Sequence, residues 1–219
     1  MKILKGKKIV EETSINIITS QFEKVVVDVG TGDGRFVYKM AKENPKNYFI
    51  GVDPAAENMY EFAAKIIKKP SKGGVGNAMY VVSSMEELPD EMNGIADHIY
   101  INLPWGSLLE GVVKGSDDIL SNILKLSKVQ NTNLDICLTY SILHEAGEMS
   151  RRELPELTLD YIRDTLTPIY KEKGIILTDS NTINNIVLRE YDTQWAKRLG
   201  FGRTREIYRI CGIVNKIKQ

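Results

Sequence analysis

Residues 25–35, Val-Val-Val-Asp-Val-Gly-Thr-Gly-Asp-Gly-Arg, constrain this chain more than any other stretch. An apolar run carries an acid, Asp28, and passes into a loop with glycine at 30, 32 and 34. A helical pattern follows, then a second apolar run, Tyr48-Phe-Ile-Gly-Val, ending in a second acid, Asp53. Strand, glycine turn, helix, strand, acid is the order of a βαβ unit that holds an adenosine-containing cofactor. The glycines let the backbone turn tightly and approach the ligand. The acid closing the second strand can accept hydrogen bonds from both ribose hydroxyls. A plain glycine turn with Asp28 as a helix cap explains the loop but leaves Asp53 unexplained.

A dinucleotide fingerprint reads G-x-G-x-x-G, its last glycine opening a helix beneath a pyrophosphate. Here the pattern is Asp-x-Gly-x-Gly-x-Gly. An acid at the mouth of the loop repels a pyrophosphate and suits a cationic ligand. The pattern resembles motif I of the class I methyltransferases. The cofactor so implied is S-adenosylmethionine, which carries a sulfonium and an amino group and no phosphate.

With 219 residues the chain is long enough for a full core and reads as a single domain over 1–219. No apolar run approaches the roughly 20 residues that span a bilayer. The charged start, Met1-Lys-Ile-Leu-Lys-Gly-Lys-Lys, lacks a signal-peptide core, so a cytoplasmic protein is expected. Cys137 and Cys211 lie in apolar, strand-like runs and read as small buried hydrophobes. With only His98 and His144 besides, no metal site is expected.

The formal net charge is zero, but the charges are segregated. Residues 62–85 hold Lys65, Lys68, Lys69 and Lys72 and no acid. From Trp195 onward Lys197, Arg198, Arg203, Arg205, Arg209, Lys216 and Lys218 face the single acid Glu206. Such segregation fits one basic face turned to nucleic acid; lysines that merely solvate helices fit it equally.

Short apolar runs alternate with helical patterns, the signature of an α/β fold with a mostly parallel sheet. Seven strands are expected near 24–29, 48–52, 78–82, 96–103, 133–139, 182–188 and 206–214, with helices near 35–44, 56–69, 116–128, 157–173 and 191–199. This is a Rossmann-like layout, in which ligands bind beyond the carboxyl ends of the strands. Residues 28–34, 53, 84–87 and 102–105 all follow strands and should converge on one crevice. Two inserts are expected at its mouth, 140–157, of weak periodicity, and 189–205. Mouth loops are where specificity usually resides.

Asn102-Leu-Pro-Trp105 follows the fourth expected strand. Methyltransferases acting on amino and ring nitrogens carry a related turn there, so Trp105 reads as one wall of a base pocket, or else as packing at the edge of the core. The chain's other tryptophan, Trp195, lies in the late insert, where helix packing is the competing role. Two aromatic faces around a flipped base form the usual pocket for chemistry on a nucleotide. Adenine N1 has a free lone pair and no proton to lose, so its methylation needs positioning and a site tolerant of a cation, not a general base. That fits a chain without a visible triad, reactive cysteine or metal cluster.

The chain is similar to the aminoglycoside-resistance methyltransferases that modify N1 of adenine 1408 in 16S ribosomal RNA, the kanamycin–apramycin resistance family. The matching stretches are Ile3-Leu-Lys-Gly, Asp28-Val-Gly-Thr-Gly-Asp-Gly-Arg, Ile50-Gly-Val-Asp-Pro, Lys65-Ile-Ile-Lys-Lys-Pro-Ser-Lys-Gly-Gly, Pro104-Trp-Gly, Asp118-Ile-Leu-Ser-Asn, Leu154-Pro and Trp195-Ala-Lys-Arg-Leu-x-Phe-Gly-Arg. The resemblance implies that Asp28, Gly30, Gly32 and Asp53 hold S-adenosylmethionine, with Ser84 and Glu86 or Glu87 near its adenine. It implies that Trp105 and Trp195 sandwich the flipped adenine and that Arg205 braces the nucleotide's phosphate. Lys65, Lys68, Lys69, Lys72, Arg152 and Arg203 would dock the 16S rRNA surface of the 30S subunit, with the enzyme acting as a monomer. The family has serine two residues before the second tryptophan. Here it is Thr193, which keeps a hydroxyl for the pocket and cofactor but adds a methyl. Residues 129–150 match poorly. A transfer-RNA guanine-N7 methyltransferase shares the glycine loop, but Gly106 stands where its Pro-Trp-Pro turn has the second proline. A small-molecule methyltransferase would have no use for the segregated lysines.

Overall fold

The computed structural model describes residues 1–183 and 205–216. In chain order its main elements are β1 (Lys2–Lys5), β2 (Lys8–Glu11), α1 (Ile15–Thr19), β3 (Val25–Val29), α2 (Arg35–Glu43), β4 (Tyr48–Asp53), α3 (Ala56–Ile66), β5 (Ala78–Val82), β6 (His98–Asn102), α4 (Gly106–Lys114), α5 (Asp117–Leu126), β7 (Thr132–Leu138), α6 (Ile142–Arg152), α7 (Leu159–Tyr161), α8 (Thr167–Glu172), β8 (Ile175–Ile183) and β9 (Ile207–Val214).

The strands form one sheet in the order β2-β1-β5-β4-β3-β6-β7-β9-β8. The five inner strands β5-β4-β3-β6-β7 are parallel, and antiparallel pairs flank them on both sides. Strands covered on both faces are near-continuous apolar runs, and all five residues of β3 are buried. Helices α2 and α3 pack on one face through Val37, Tyr38, Met59, Phe62 and Ile66. On the other face α4 and α5 bury Leu109, Val112, Ile119 and Ile123. The apolar spacing of three and four residues in α3 and α5 is what turns one stripe inward. Val29 pairs with Val52 in the β3–β4 ladder, so the loops leaving both strands start side by side.

The seven expected strands are present as β3 to β9, with two corrections. The sheet has nine strands among the described residues, because β1 and β2 form an N-terminal hairpin that pairs with β5. These four-residue strands carry Lys2, Lys5 and Lys8 on an edge and have too little apolar contrast to read. Strand β8, described over Ile175–Ile183, begins seven residues before the expected 182, and 184–188 lie outside the described residues. Its outer half, from Thr178 to Thr182, is polar and largely exposed, which hid it.

The region 140–157 contains helix α6, whose single buried residue, Met149, leaves no stripe to detect. The helix expected at 157–173 is three pieces, with a π-helical turn at Ile162–Leu166. Pro168 lacks the amide that would bond back to Asp164, and the Thr167 hydroxyl donates to the Ile162 carbonyl at 2.9 Å. The expected helix at 191–199 and most of the insert at 189–205 lie outside the described residues.

Candidate active site

The loops after β3, β4, β5 and β6 meet around a cavity of about 610 Å³, the size of a small-molecule site. Gly32 has φ of 59°, and an added Cβ there would meet nothing within 4 Å, so the backbone presents a bare edge to open space. Gly34, at φ of 77°, is different: a Cβ would lie 2.4 Å from the Tyr80 ring. The Tyr80 hydroxyl donates to the Gly34 carbonyl at 2.7 Å and fixes the far end of the loop.

Asp53 closes β4 and fastens that loop. Its Oδ2 accepts the Gly32 N–H and its Oδ1 the Ala55 N–H, both at 2.9 Å. Burial pushes its carboxyl above the usual range, against the pull of these two amides. Each oxygen keeps a further lone pair for a ribose hydroxyl.

Asp28 is 3% exposed and lies behind the cavity wall rather than on it. The Asn102 amide donates to its Oδ1 at 3.0 Å, tying β3 to the end of β6. Burial pushes this carboxyl up to about 7; the Thr31 hydroxyl and the Asn102 amide oppose that, and the charges of Asp53 and Asp33 add to it. The buried Thr31 hydroxyl completes no hydrogen bond of normal geometry.

After β5, Ser83 and Ser84 shape a turn in which the Glu87 N–H donates to the Ser84 hydroxyl at 3.2 Å. Ser84 and Glu86 line the cavity; Glu87 is exposed beyond it. Burial disfavours the charge on Glu86, but the hydroxyls of Ser107 and Ser84 hold its carboxyl below the usual range.

The turn after β6 is held by Leu103, which adopts φ of 51° although it is not glycine. Its N–H donates to the Cys137 carbonyl at 2.8 Å, and its side chain packs on Cys137 and Ile207. A left-handed residue of this kind persists only where its surroundings enforce it, and such strain gathers at functional sites. The following Trp105 lines the cavity with 45% of its surface exposed.

Four carboxylates, Asp33, Asp53, Glu61 and Glu86, line the cavity, with no lysine, arginine or histidine among the described lining residues. That donor set excludes a pyrophosphate and fits a cationic adenosine ligand. The bare Gly32 backbone and the unsatisfied Thr31 hydroxyl fit it as well. Asp33, Glu61 and Thr31 were not singled out from sequence. Asn58 and Glu61, spaced by three on α3 after Asp53, were the signal available for the second.

The expected RNA-docking residues fall in two groups. Lys68, Lys69 and Lys72 are exposed on the segment after α3, and the Lys65 ammonium lies 4.6 Å from the Tyr38 ring centre and 5.2 Å from that of Phe62. Arg152 is held internally instead, donating to Glu148 at 2.6 Å and to Glu110 at 2.9 Å. Arg205 also has an internal partner, since its guanidinium donates to Glu145. Thr193, Trp195 and Arg203 lie outside the described residues. The paired cysteine expectation needs one amendment: Cys137 is buried, whereas Cys211 is partly exposed and its thiol donates to Asp135 at 3.3 Å.

No helix among the described residues is long and apolar enough to cross a membrane. No group of three or more metal-ligating side chains occurs among them.

Comparison with known proteins agrees with this geometry. The NpmA family profile, described as 16S rRNA (adenine(1408)-N(1))-methyltransferase, matches residues 2–214. A protein of that name from Escherichia coli is 41% identical, over 99% of this chain and 100% of its own length. Another from Streptoalloteichus tenebrarius is 30% identical, over 98% of this chain and 100% of its own. A solved mutant of such an enzyme from Catenulisporales acidiphilia, with cosubstrate SAM, superposes with a TM-score of 0.90 at 33% identity, covering 100% of this chain and 99% of its own. The chain therefore belongs to the 16S rRNA (adenine(1408)-N(1))-methyltransferase family.

Proposed function

We propose that this chain transfers a methyl group from S-adenosylmethionine to N1 of adenine 1408 within the assembled 30S subunit, acting as a monomer and conferring resistance to aminoglycosides that bind there. The observation that carries the reading is the carboxylate-lined cavity opening at Trp105, with no cation among its described lining residues. When bound, S-adenosylmethionine supplies an electrophilic methyl group on a sulfonium. Asp53 accepts the ribose hydroxyls, and the Gly30–Gly32 backbone approaches the ligand without a side chain in between. Asp28 supports the cationic end from behind, through Asn102 and Thr31. Ser84 and Glu86 flank the adenine, with Glu87 one step outside, and Thr193 adds a hydroxyl at the mouth.

The substrate side needs no proton acceptor. Adenine N1 attacks with its own lone pair, and the base takes up the positive charge. Trp105 and Trp195 hold the flipped ring between their faces, which suits a developing cation. Arg205 meets the phosphate of the flipped nucleotide only by sharing or exchanging its Glu145 partner. Lys65, Lys68, Lys69, Lys72 and Arg203 read the phosphates of the folded RNA, since an A-form helix exposes little sequence in its deep groove. Arg152 contributes by holding α6 to α4 through Glu110, and it reaches RNA only where it can share that partner. A methyl group and a positive charge on N1 remove a hydrogen-bond acceptor and repel a polycationic drug, which accounts for resistance.

Incubation with labelled S-adenosylmethionine and, separately, 30S subunits, protein-free 16S rRNA or transfer RNA tests the reading. Label confined to 30S subunits is expected; label in transfer RNA instead contradicts it.

A further inference from the structure

We propose that Tyr38 is a positioning residue for RNA docking, holding the lysine-bearing segment 65–75 in one shape before substrate arrives. The inference rests on the reading of that segment as part of the rRNA-docking surface, and it assigns a role to a residue beneath it.

Tyr38 lies on α2 and is 9% exposed. Its hydroxyl donates to the Gly73 carbonyl at 2.9 Å, which joins the α2 layer to the far side of the segment. Its ring lies 5.4 Å from that of Phe62, and the Lys65 ammonium sits over both rings. One side chain thus holds the segment at both ends, at Lys65 by its face and at Gly73 by its hydroxyl.

Between those points the backbone closes on itself. The Val75 N–H donates to the Ile66 carbonyl at 3.0 Å, the Gly74 N–H to Lys69 at 3.1 Å and the Lys72 N–H to Lys69 at 2.8 Å. A Cβ on Gly74 would stand 1.6 Å from the Lys68 carbonyl oxygen, so the two strands of the turn touch backbone to backbone. Gly73 takes φ of 83°, open to glycine at little cost. Lys68, Lys69 and Lys72 project outward from this knot, with no acid between 62 and 85 to draw them in.

Like charges on a slack loop spread apart and must be gathered when they bind. A loop fixed beforehand avoids that ordering cost, so the gain appears in substrate affinity and not in the chemical step. Tyr38 acts at a distance from the cofactor cavity, of whose described lining it is not part.

The test uses the full chain. Methyl transfer to 30S subunits is measured for wild type, Tyr38→Phe, Tyr38→Leu and the double variant Lys68→Gln/Lys69→Gln, with S-adenosylmethionine affinity measured by calorimetry. Tyr38→Phe keeps the ring under Lys65 and loses only the hydroxyl bond. Its KM for 30S subunits should rise about three- to tenfold, with kcat and cofactor affinity unchanged. Tyr38→Leu loses both contacts and should raise KM further. If the lysine variant raises KM and Tyr38→Phe does not, the positioning role is wrong while the docking surface stands. If neither raises KM, the docking surface itself is wrong and the inference falls with it. If Tyr38→Phe lowers kcat or cofactor affinity along with thermal stability, Tyr38 only supports the fold, which also overturns the inference.

Discussion

The Gly32 N–H and the Asp53 carboxylate are joined at 2.9 Å, so the acid expected to receive a ribose also fastens the glycine loop that faces it. One residue sets both the floor and the wall of the cofactor cavity. Because Asp53 accepts two backbone amides, a neutral amide in its place would turn an NH2 toward one of those donors. Asp53→Asn should therefore weaken S-adenosylmethionine binding at least about tenfold, in line with the loss of charged hydrogen bonds worth roughly 1.5–3 kcal/mol. Calorimetric titration checks this; an unchanged Kd would remove Asp53 from the site.

Asp28 predicts a pH dependence. Burial raises its carboxyl to about 7 in the protein without cofactor, against a usual value of 3.8. The folded state then holds a proton that the unfolded chain has lost, so this contribution to stability is full below about pH 4 and disappears as pH rises through 7. Thermal melts of the cofactor-free enzyme should show the decline between about pH 4 and pH 7 in wild type but not in Asp28→Asn. A cationic ligand favours the ionised form, so S-adenosylmethionine affinity should rise from about pH 6 to pH 8 with proton release, and Asp28→Asn should flatten that rise.

Trp105 separates chemistry from cofactor binding. Its exposed ring at the mouth offers a stacking face, and base–aromatic stacking is worth about 1–3 kcal/mol. Trp105→Ala should cut methyl transfer by one to two orders of magnitude while S-adenosylmethionine affinity stays within about threefold. Trp105→Phe should recover part of the loss. Single-turnover assays beside calorimetry distinguish the two steps.

Arg205 and Glu145 form an ion pair with side chains 17% and 10% exposed, and the other Glu145 oxygen accepts the Ser141 N–H at 2.9 Å. Removing one partner strands the other in a partly buried place. Arg205→Ala should cost about 1–3 kcal/mol of stability, and adding Glu145→Ala should return part of it. A double-mutant cycle by chemical denaturation measures the coupling. A coupling near zero would free Arg205 from this structural duty.

The glycine loop, Asp53 and the Asn102–Trp105 turn were legible because each depends on local residue chemistry at the end of an apolar strand, whereas Asp28, read at the mouth of the loop, is buried behind the cavity wall. So were the parallel strands β3 to β7: the runs of β3, β4 and β5 are buried on both faces, and β6 and β7 keep an apolar residue at every second position. Thr31 and Glu61 were not legible. The first matters because its buried hydroxyl lies against the Asp28 carboxyl, which only packing reveals, and the second because α3 turns it toward the cavity. Arg152 and Arg205 looked like free cations in sequence, yet each meets a carboxylate brought from a distant element or an adjacent turn. Charge segregation along a chain cannot show which cations are already spent on internal partners. Helix α6 and strand β8 were obscured because they lie at the edge, with few buried residues to set a period.

The central claim is methylation of one ring nitrogen, and primer extension across the decoding region of 16S rRNA tests it most directly. The template is rRNA from 30S subunits treated with this protein and S-adenosylmethionine. A methyl group on N1 blocks base pairing, so the account predicts a new stop next to adenine 1408, absent with Trp105→Ala. Methyl incorporation into the subunit without a stop at that position would contradict it.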